Sequence, residues 1–289
     1  MNFLIYWLGR WFIAFVQLFP LGLVARAGRA AGGLAYHLDA RHRRVALQNL
    51  QLCFGREKST AEIQSIAKEN FRRLGENYLS AIKTAIMSSP AMLPHFEFVG
   101  AENILPHEAE AGPQSRVVAI GHFGNFELYA RFGEFVTVFK CAATYRALKQ
   151  PAVNRLMEAL RNHSGCRFFE RRRDGAALKD AMNDTGLLLG LLADQSSKGV
   201  RVPFLGQYCN TSTAPAVFAL RYQCPLHTAI CYRVSLGCWR IEVGPEIPTR
   251  EGGKPRDIEA IMREVNLTLE QAVRRDPANW FWVHRRWKD

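Results

Sequence analysis

The first strong signal along the chain is the segment FLIYWLGRWFIAFVQLFPLGLV, residues 3–24, in which Arg10 and Gln17 are the only strongly polar side chains. It reaches the lower end of the ~20 apolar residues that cross a bilayer as a helix, and so predicts a membrane helix. Pro20 should end or kink that helix. Arg10 and Gln17, seven positions apart, would share one face, which also suits a helix lying in the membrane plane.

Beyond residue 40 the pattern becomes amphipathic. RHRRVALQNLQLCFG spaces Val45, Leu47, Leu50, Leu52 and Phe54 among Arg43, Arg44, Gln48 and Asn49. This predicts a basic helix that either rests on anionic headgroups or shows an ordinary solvated face. STAEIQSIAKENFRRLGENYLSAIKTAI opens on Ser59 or Thr60 as N-cap, with Glu62 in the first turn. Ile63, Ile66, Phe71, Leu74, Tyr78 and Ile82 then recur at helical spacing, a long amphipathic helix. FEFVGAENI alternates as a strand running into a turn at Gly100, and HEAEAGPQS reads as a linker.

From RVVAIGH onward, strand and helix patterns take turns. The strand VVAIGH precedes helix FELYARFGEF, strand TVFKCAATYR, helix PAVNRLMEALRNHSG, strand CRFFE, helix GAALKDAMND and strand GLLLGLLAD. The apolar runs are those of buried parallel strands. The rhythm predicts an α/β fold with a mainly parallel central sheet flanked by helices and functional residues at the strands' C-terminal ends. APAVFALRYQ follows as a helix, PLHTAICYRV and CWRIEVGPEI as paired strands, and IEAIMREVNLTLEQAVRRDP as a closing helix. There is no internal repeat or low-complexity tract, which favours one catalytic domain.

Composition narrows the partners. With 48% hydrophobic residues, 289 positions suffice for a full core. The net charge of +12 points to an anionic partner: nucleic acid, phospholipid headgroups or an acidic carrier. Arg26, Arg29, Arg41, Arg43 and Arg44 follow the apolar run, and the positive-inside rule then keeps that flank cytoplasmic. ARAGRA offers an Ala-x-Ala cleavage pattern, but the residues MN before the run carry no basic side chain, unlike a signal peptide. Seven cysteines without metal-ligand spacing suit reduced thiols, with Cys231 and Cys238 as small core hydrophobes.

Candidate chemistry collects at strand ends. In GHFGNFE, His122 ends a strand and Asn125 is placed to cap the next helix, which leaves Glu127 in its first turn. The chain could fold back so that the carboxylate orients the imidazole as a general base, or the two could merely close a corner. Gly121 and Gly124 would permit the tight turn. Arg146 in TYRA either faces developing negative charge or a substrate phosphate, or pairs structurally. Asp194 and Gln195 follow GLLLGLLA, where they either shape the site or brace the loop QSSKGV. Thr211, Ser212 and Thr213 should include the N-cap of the next helix. Arg171, Arg172 and Arg173, and Arg285, Arg286 and Lys288 among tryptophans, suit a membrane interface, a phosphorylated glycolipid or an acidic carrier; the membrane segment argues against nucleic acid. His284 reads as a packed or surface histidine.

GHFGNFE resembles the H-x-x-x-x-D/E signature of glycerolipid-type acyltransferases. RRVALQNLQLCF, YRALKQPAVNRLM, ADQSSKGVRVPFLGQYCNTSTAPAVFALR and NWFWVHRRWK resemble successive blocks of the lipid A late acyltransferases, the lauroyl and myristoyl transferases of Gram-negative envelopes. Ala147 stands where many relatives have proline. The resemblance implies a glycerol-3-phosphate acyltransferase-like fold, with residues 1–24 as an anchor in the inner membrane and residues 25–289 as a cytoplasm-facing catalytic domain. It implies that His122 is the general base, Glu127 its partner, and Arg146, Asp194 and Gln195 substrate-binding or oxyanion residues. The donor would be the thioester of acyl carrier protein, the acceptor a glycolipid hydroxyl, and no metal or nucleotide cofactor is implied. The absence of a G-x-S-x-G elbow agrees with direct transfer. The alternatives are the same chemistry on a phosphatidylinositol mannoside, lysophospholipid or aryl-polyene lipid, or a non-catalytic basic membrane-binding protein.

Overall fold

In the computed structural model, residues 2–106, 113–134, 136–184 and 186–287 are described. Most of the expected linker, and Lys288, lie outside them. The apolar N-terminal run does not form one helix. It divides into α1 (Asn2–Gln17) and α2 (Leu21–Leu38), because Pro20 adopts an extended conformation as N-cap of α2. The 16-residue α1 is about 24 Å long at ~1.5 Å per residue, short of the ~30 Å hydrocarbon core. Among the described residues no helix is long and apolar enough to cross a membrane, which corrects the expected spanning helix.

Gln17 is also not a stray polar residue in an apolar face. Its amide donates to the Ile82 carbonyl at 3.1 Å, and Lys83 donates to its backbone carbonyl at 2.7 Å. These bonds tie α1 to the end of α4 (Thr60–Thr84), reached through α3 (Ala40–Phe54). Ser59 and Glu62 form the reciprocal capping box that starts α4. α2 crosses α4 at glycines: a Cβ on Gly75 would collide with the backbone of Gly28 and Gly32, so only glycine permits this approach.

A short helix, α5 (Ser89–Met92), leads to the strands β1 (Phe96–Val99), β2 (Arg116–Ile120) and β3 (Lys140–Tyr145). Then come α6 (Pro151–Arg161), β4 (Arg167–Glu170), α7 (Gly175–Asn183) and β5 (Leu187–Leu192). A hairpin follows, β6 (Ser196–Phe204) and β7 (Gln207–Thr211), then α8 (Ala214–Tyr222), β8 (Leu226–Ser235), β9 (Cys238–Val243) and α9 (Ile258–Arg275). The central sheet has the order β1-β9-β8-β2-β5-β3-β4, and only β8 and β9 pair antiparallel.

Strand alternation feeds two cores. Val117, Ala119, Leu187, Leu189 and Leu191 face one cluster with α8, α9 and the C-terminal tryptophans; Val118, Ile120 and Leu188 face the other with Phe132 and Trp239. This is the expected α/β fold with a mainly parallel sheet between helices. All seven cysteines are unbonded to one another, with Cys231 fully buried and Cys238 partly so.

Candidate active site

β2 and β5 are neighbours, with Ile120 paired to Leu192 at their C-terminal ends. The chain extends the ladder by one more bond, Ala193 N–H to the Ile120 carbonyl at 2.9 Å. Two residues past that pair stand His122 on one strand and Asp194 on the other. They meet: Asp194 Oδ1 lies 2.8 Å from His122 Nδ1, and Oδ2 accepts from the His122 backbone N–H at 2.8 Å. A Cβ on Gly121 would press on the Phe123 ring and Asp194, and Gly124 has φ +50, so both glycines are needed for this corner.

Asp194 is buried, 1% exposed, and Trp280 Nε1–H also donates to its Oδ2, at 2.9 Å. Burial pushes its carboxyl up, but the charge of His122, the two bonds from that residue and the indole N–H together hold it below the usual carboxylate value. An ionised carboxylate only accepts hydrogen bonds, so Nδ1 carries a proton toward Asp194, and in the neutral imidazole this tautomer leaves the lone pair on Nε2. The Gln195 side chain lies 3.4 Å from Nε2, and Phe126 and Phe281 pack around the imidazole with centroids at 4.9 and 5.6 Å.

Glu127 is not the partner of His122. It sits in the fork of Arg161, with Nε at 2.9 Å and Nη2 at 2.7 Å, a bidentate charge-assisted pair. Two physical reasons account for the difference. Residues Phe126–Glu134 wind as a 3₁₀ helix rather than an α-helix, and Asp194 already occupies Nδ1. Burial pulls the Arg161 guanidinium down, and Glu127 more than offsets this, so it stays firmly charged. Arg161 Nη1 has no protein partner among the described residues.

His122, Glu127, Arg146, Gln195 and Arg161 all line one cavity of about 1050 Å³, at the upper end of the ~300–1,000 Å³ usual for small-molecule sites. Its apolar wall includes Phe12 and Ile13 from α1 and Leu156, Met157 and Leu160 from α6. Arg146 follows β3, is exposed, and has no ion-pair or hydrogen-bond partner among the described residues. Lys149, Arg171 and Lys179 also border the cavity.

Other expectations shift. Arg286 is no surface cation: it is fully buried and donates to the Asn210 carbonyl at 2.5 Å and Thr211 Oγ1 at 2.8 Å. Burial lowers its pKa from the ordinary arginine value. His284 is packed, accepting from Ser196 N–H at 3.3 Å. Thr213 is the N-cap of α8 without a side-chain bond, and Ser212 Oγ accepts from Ala214 N–H instead. Arg161, Trp280 and Phe281 were not singled out from the sequence, where each lies inside a helix or basic-aromatic pattern with no signal of its own.

A histidine backed by a buried carboxylate beside a large, mostly apolar cavity is equipped to activate a hydroxyl next to a hydrocarbon chain, the task of a lipid acyltransferase. The chain belongs to the bacterial lipid A biosynthesis acyltransferases, whose family model matches residues 1–289. It is 26% identical over 303 residues to a lipid A biosynthesis palmitoleoyltransferase of Escherichia coli (strain K12), covering 98% of this chain and 92% of the relative. A lipid A biosynthesis acyltransferase of Shigella flexneri matches with the same identity and coverage. The protein is thus an acyltransferase of lipid A biosynthesis.

Proposed function

We propose that the protein moves a fatty acyl chain from the thioester of an acyl carrier protein to a hydroxyl of a lipid A precursor at the cytoplasmic face of the inner membrane. His122 Nε2 takes the proton of the acceptor hydroxyl, and the oxygen attacks the thioester carbonyl. The resulting oxyanion collapses, the C–S bond breaks, and the imidazolium returns its proton to the departing thiolate. Asp194 holds the tautomer and stabilises the imidazolium. Glu127 holds Arg161 at the cavity wall, and Arg161 or Arg146 supplies positive charge to the oxyanion or to a phosphate of the acceptor. Gln195 borders the reacting nitrogen.

The observation that carries this reading is the 2.8 Å His122–Asp194 contact opening on the cavity. Membrane attachment is supported by α1. Its Leu4, Trp7, Leu8, Trp11 and Phe15 are exposed, as is Leu18 just beyond it, while its Phe12 and Ile13 line the cavity. A helix lying in the interface would thus bring the acceptor lipid to the site without crossing the bilayer. The sequence blocks resemble those of lauroyl and myristoyl transferases, and the E. coli relative is named for palmitoleoyl transfer.

Purified protein supplied with lauroyl-, myristoyl- and palmitoleoyl-acyl carrier protein and a lipid A precursor in mixed micelles should form an ester-linked product. Coenzyme A thioesters should serve poorly. Efficient use of coenzyme A thioesters, or no ester with any donor, would contradict the donor assignment.

A further inference from the structure

We infer that Trp280 is a positioning residue for acyl transfer: the C-terminal segment delivers its indole N–H to Asp194 and so sets the orientation of the His122–Asp194 pair. This rests on the reading of His122 as the base.

The segment is held as though for that purpose. Asn70 on α4 donates to the Ala278 and Trp280 carbonyls at 2.9 and 2.5 Å, and Asn49 on α3 to those of Trp282 and His284 at 2.8 and 2.7 Å. Two buried amides thus grip the carbonyls of Ala278, Trp280, Trp282 and His284, along a segment that leaves the 3₁₀ turn Pro277–Asn279, extends at Trp280 and turns again at Trp282 and Val283. On its other edge the segment pairs with the histidine loop: Phe123 and Trp280 form a β-bridge, and Gly124 N–H donates to the Asn279 carbonyl at 3.1 Å. The Asn279 side chain donates to the Cys231 carbonyl at 2.9 Å, which fastens the C-terminal segment to β8.

The consequence falls on adjacent residues. Trp280, 1% exposed, reaches Asp194, and Phe281 packs against the imidazole. An indole can only donate, so this contact is available only to an ionised Asp194 or to an oxygen that carries no proton. Oδ2 receives both the His122 backbone N–H and the indole, which leaves Oδ1 directed at Nδ1. Without the indole the carboxylate can rotate about its χ2 axis, and it protonates at higher pH.

The test compares Trp280→Phe with His122→Ala and wild type in steady-state kinetics across pH. Replacing Trp280 by its sulfur isostere, β-(3-benzothienyl)alanine, keeps both rings and removes only the N–H, and it serves if the phenylalanine variant is unstable. The expected result is a fall in kcat of roughly tenfold or more, as for one hydrogen bond to a charged group. KM for the donor should stay within about twofold. The acid limb of kcat should move to higher pH. Wild-type kcat and an unmoved acid limb in a folded variant, with His122→Ala inactive, would overturn the role of Trp280 alone. An active His122→Ala would overturn the underlying reading instead.

Discussion

His122 meets Asp194 at 2.8 Å although 72 residues separate them, because each stands just beyond the end of one of two adjacent parallel strands. Asp194→Asn should therefore be far more damaging than its size suggests. The amide can present its N–H to Nδ1 and favour the wrong tautomer, with an expected loss of roughly 10²–10⁴ in kcat. Initial rates with acyl carrier protein thioester measure this; a loss below threefold would contradict the pairing.

The same aspartate should mark the pH dependence of stability. Its folded-state pKa lies below the unfolded value of ~3.9, so its contribution is complete above that value and is lost as pH falls through the folded one. The stability difference between wild type and Asp194→Asn should hence shrink in acid. Denaturant unfolding at pH 6 and below 4 checks this, and a difference that grows in acid would reverse the sign.

Glu127 and Arg161 should behave as a unit. Their side chains are 19% and 18% exposed, so the ~3–5 kcal/mol cost of breaking a fully buried pair reduces here to about 1–3 kcal/mol. Arg161→Leu leaves a carboxylate stranded beside Tyr78 and the cavity wall, whereas Glu127→Leu together with Arg161→Leu strands no charge. The double variant should unfold at a higher denaturant concentration than Arg161→Leu alone. Additive losses would show that the pair is not coupled.

Much of this was legible in the sequence. Leu187 to Leu192 and Val117 to Ile120 announced buried strands, and the residues after them, His122, Asp194 and Gln195, were recognisable as site candidates. What the sequence does not display is strand order. A five-residue separation made Glu127 the visible partner, while the adjacency of β2 and β5 that brings in Asp194 depends on tertiary pairing. The β6–β7 hairpin was missed because SSKGVRVPFLGQYCNT has weak alternation and turns at Leu205, with φ 52, beside Gly206. Arg286 looked like surface because its partners, Asn210 and Thr211, are 76 and 75 residues away.

The crossing of α2 and α4 depends on having no side chain at Gly75, against Gly28 and Gly32. Gly75→Leu must push backbone against backbone, where no flexible side chain can yield. The expected cost is about 3 kcal/mol or more, at the upper end of overpacking effects. Thermal unfolding should show the loss, and an unchanged midpoint would mean the helices do not cross this closely.

For α1, Leu4→Gln, Trp11→Gln and Phe15→Gln together should weaken vesicle binding at least tenfold, since each full burial of such a side chain is worth ~1.5–3 kcal/mol. Sedimentation with anionic vesicles reads this directly. Unchanged sedimentation would remove α1 from the membrane contact.

The most direct measurement is mass spectrometry of lipid A from cells lacking the gene, complemented with wild type or with His122→Ala at equal protein level. The expected spectrum lacks one acyl chain in the deleted strain, regains it with wild type, and does not regain it with His122→Ala. Full lipid A acylation in the deleted strain, or restoration by His122→Ala, would contradict acyl transfer centred on His122.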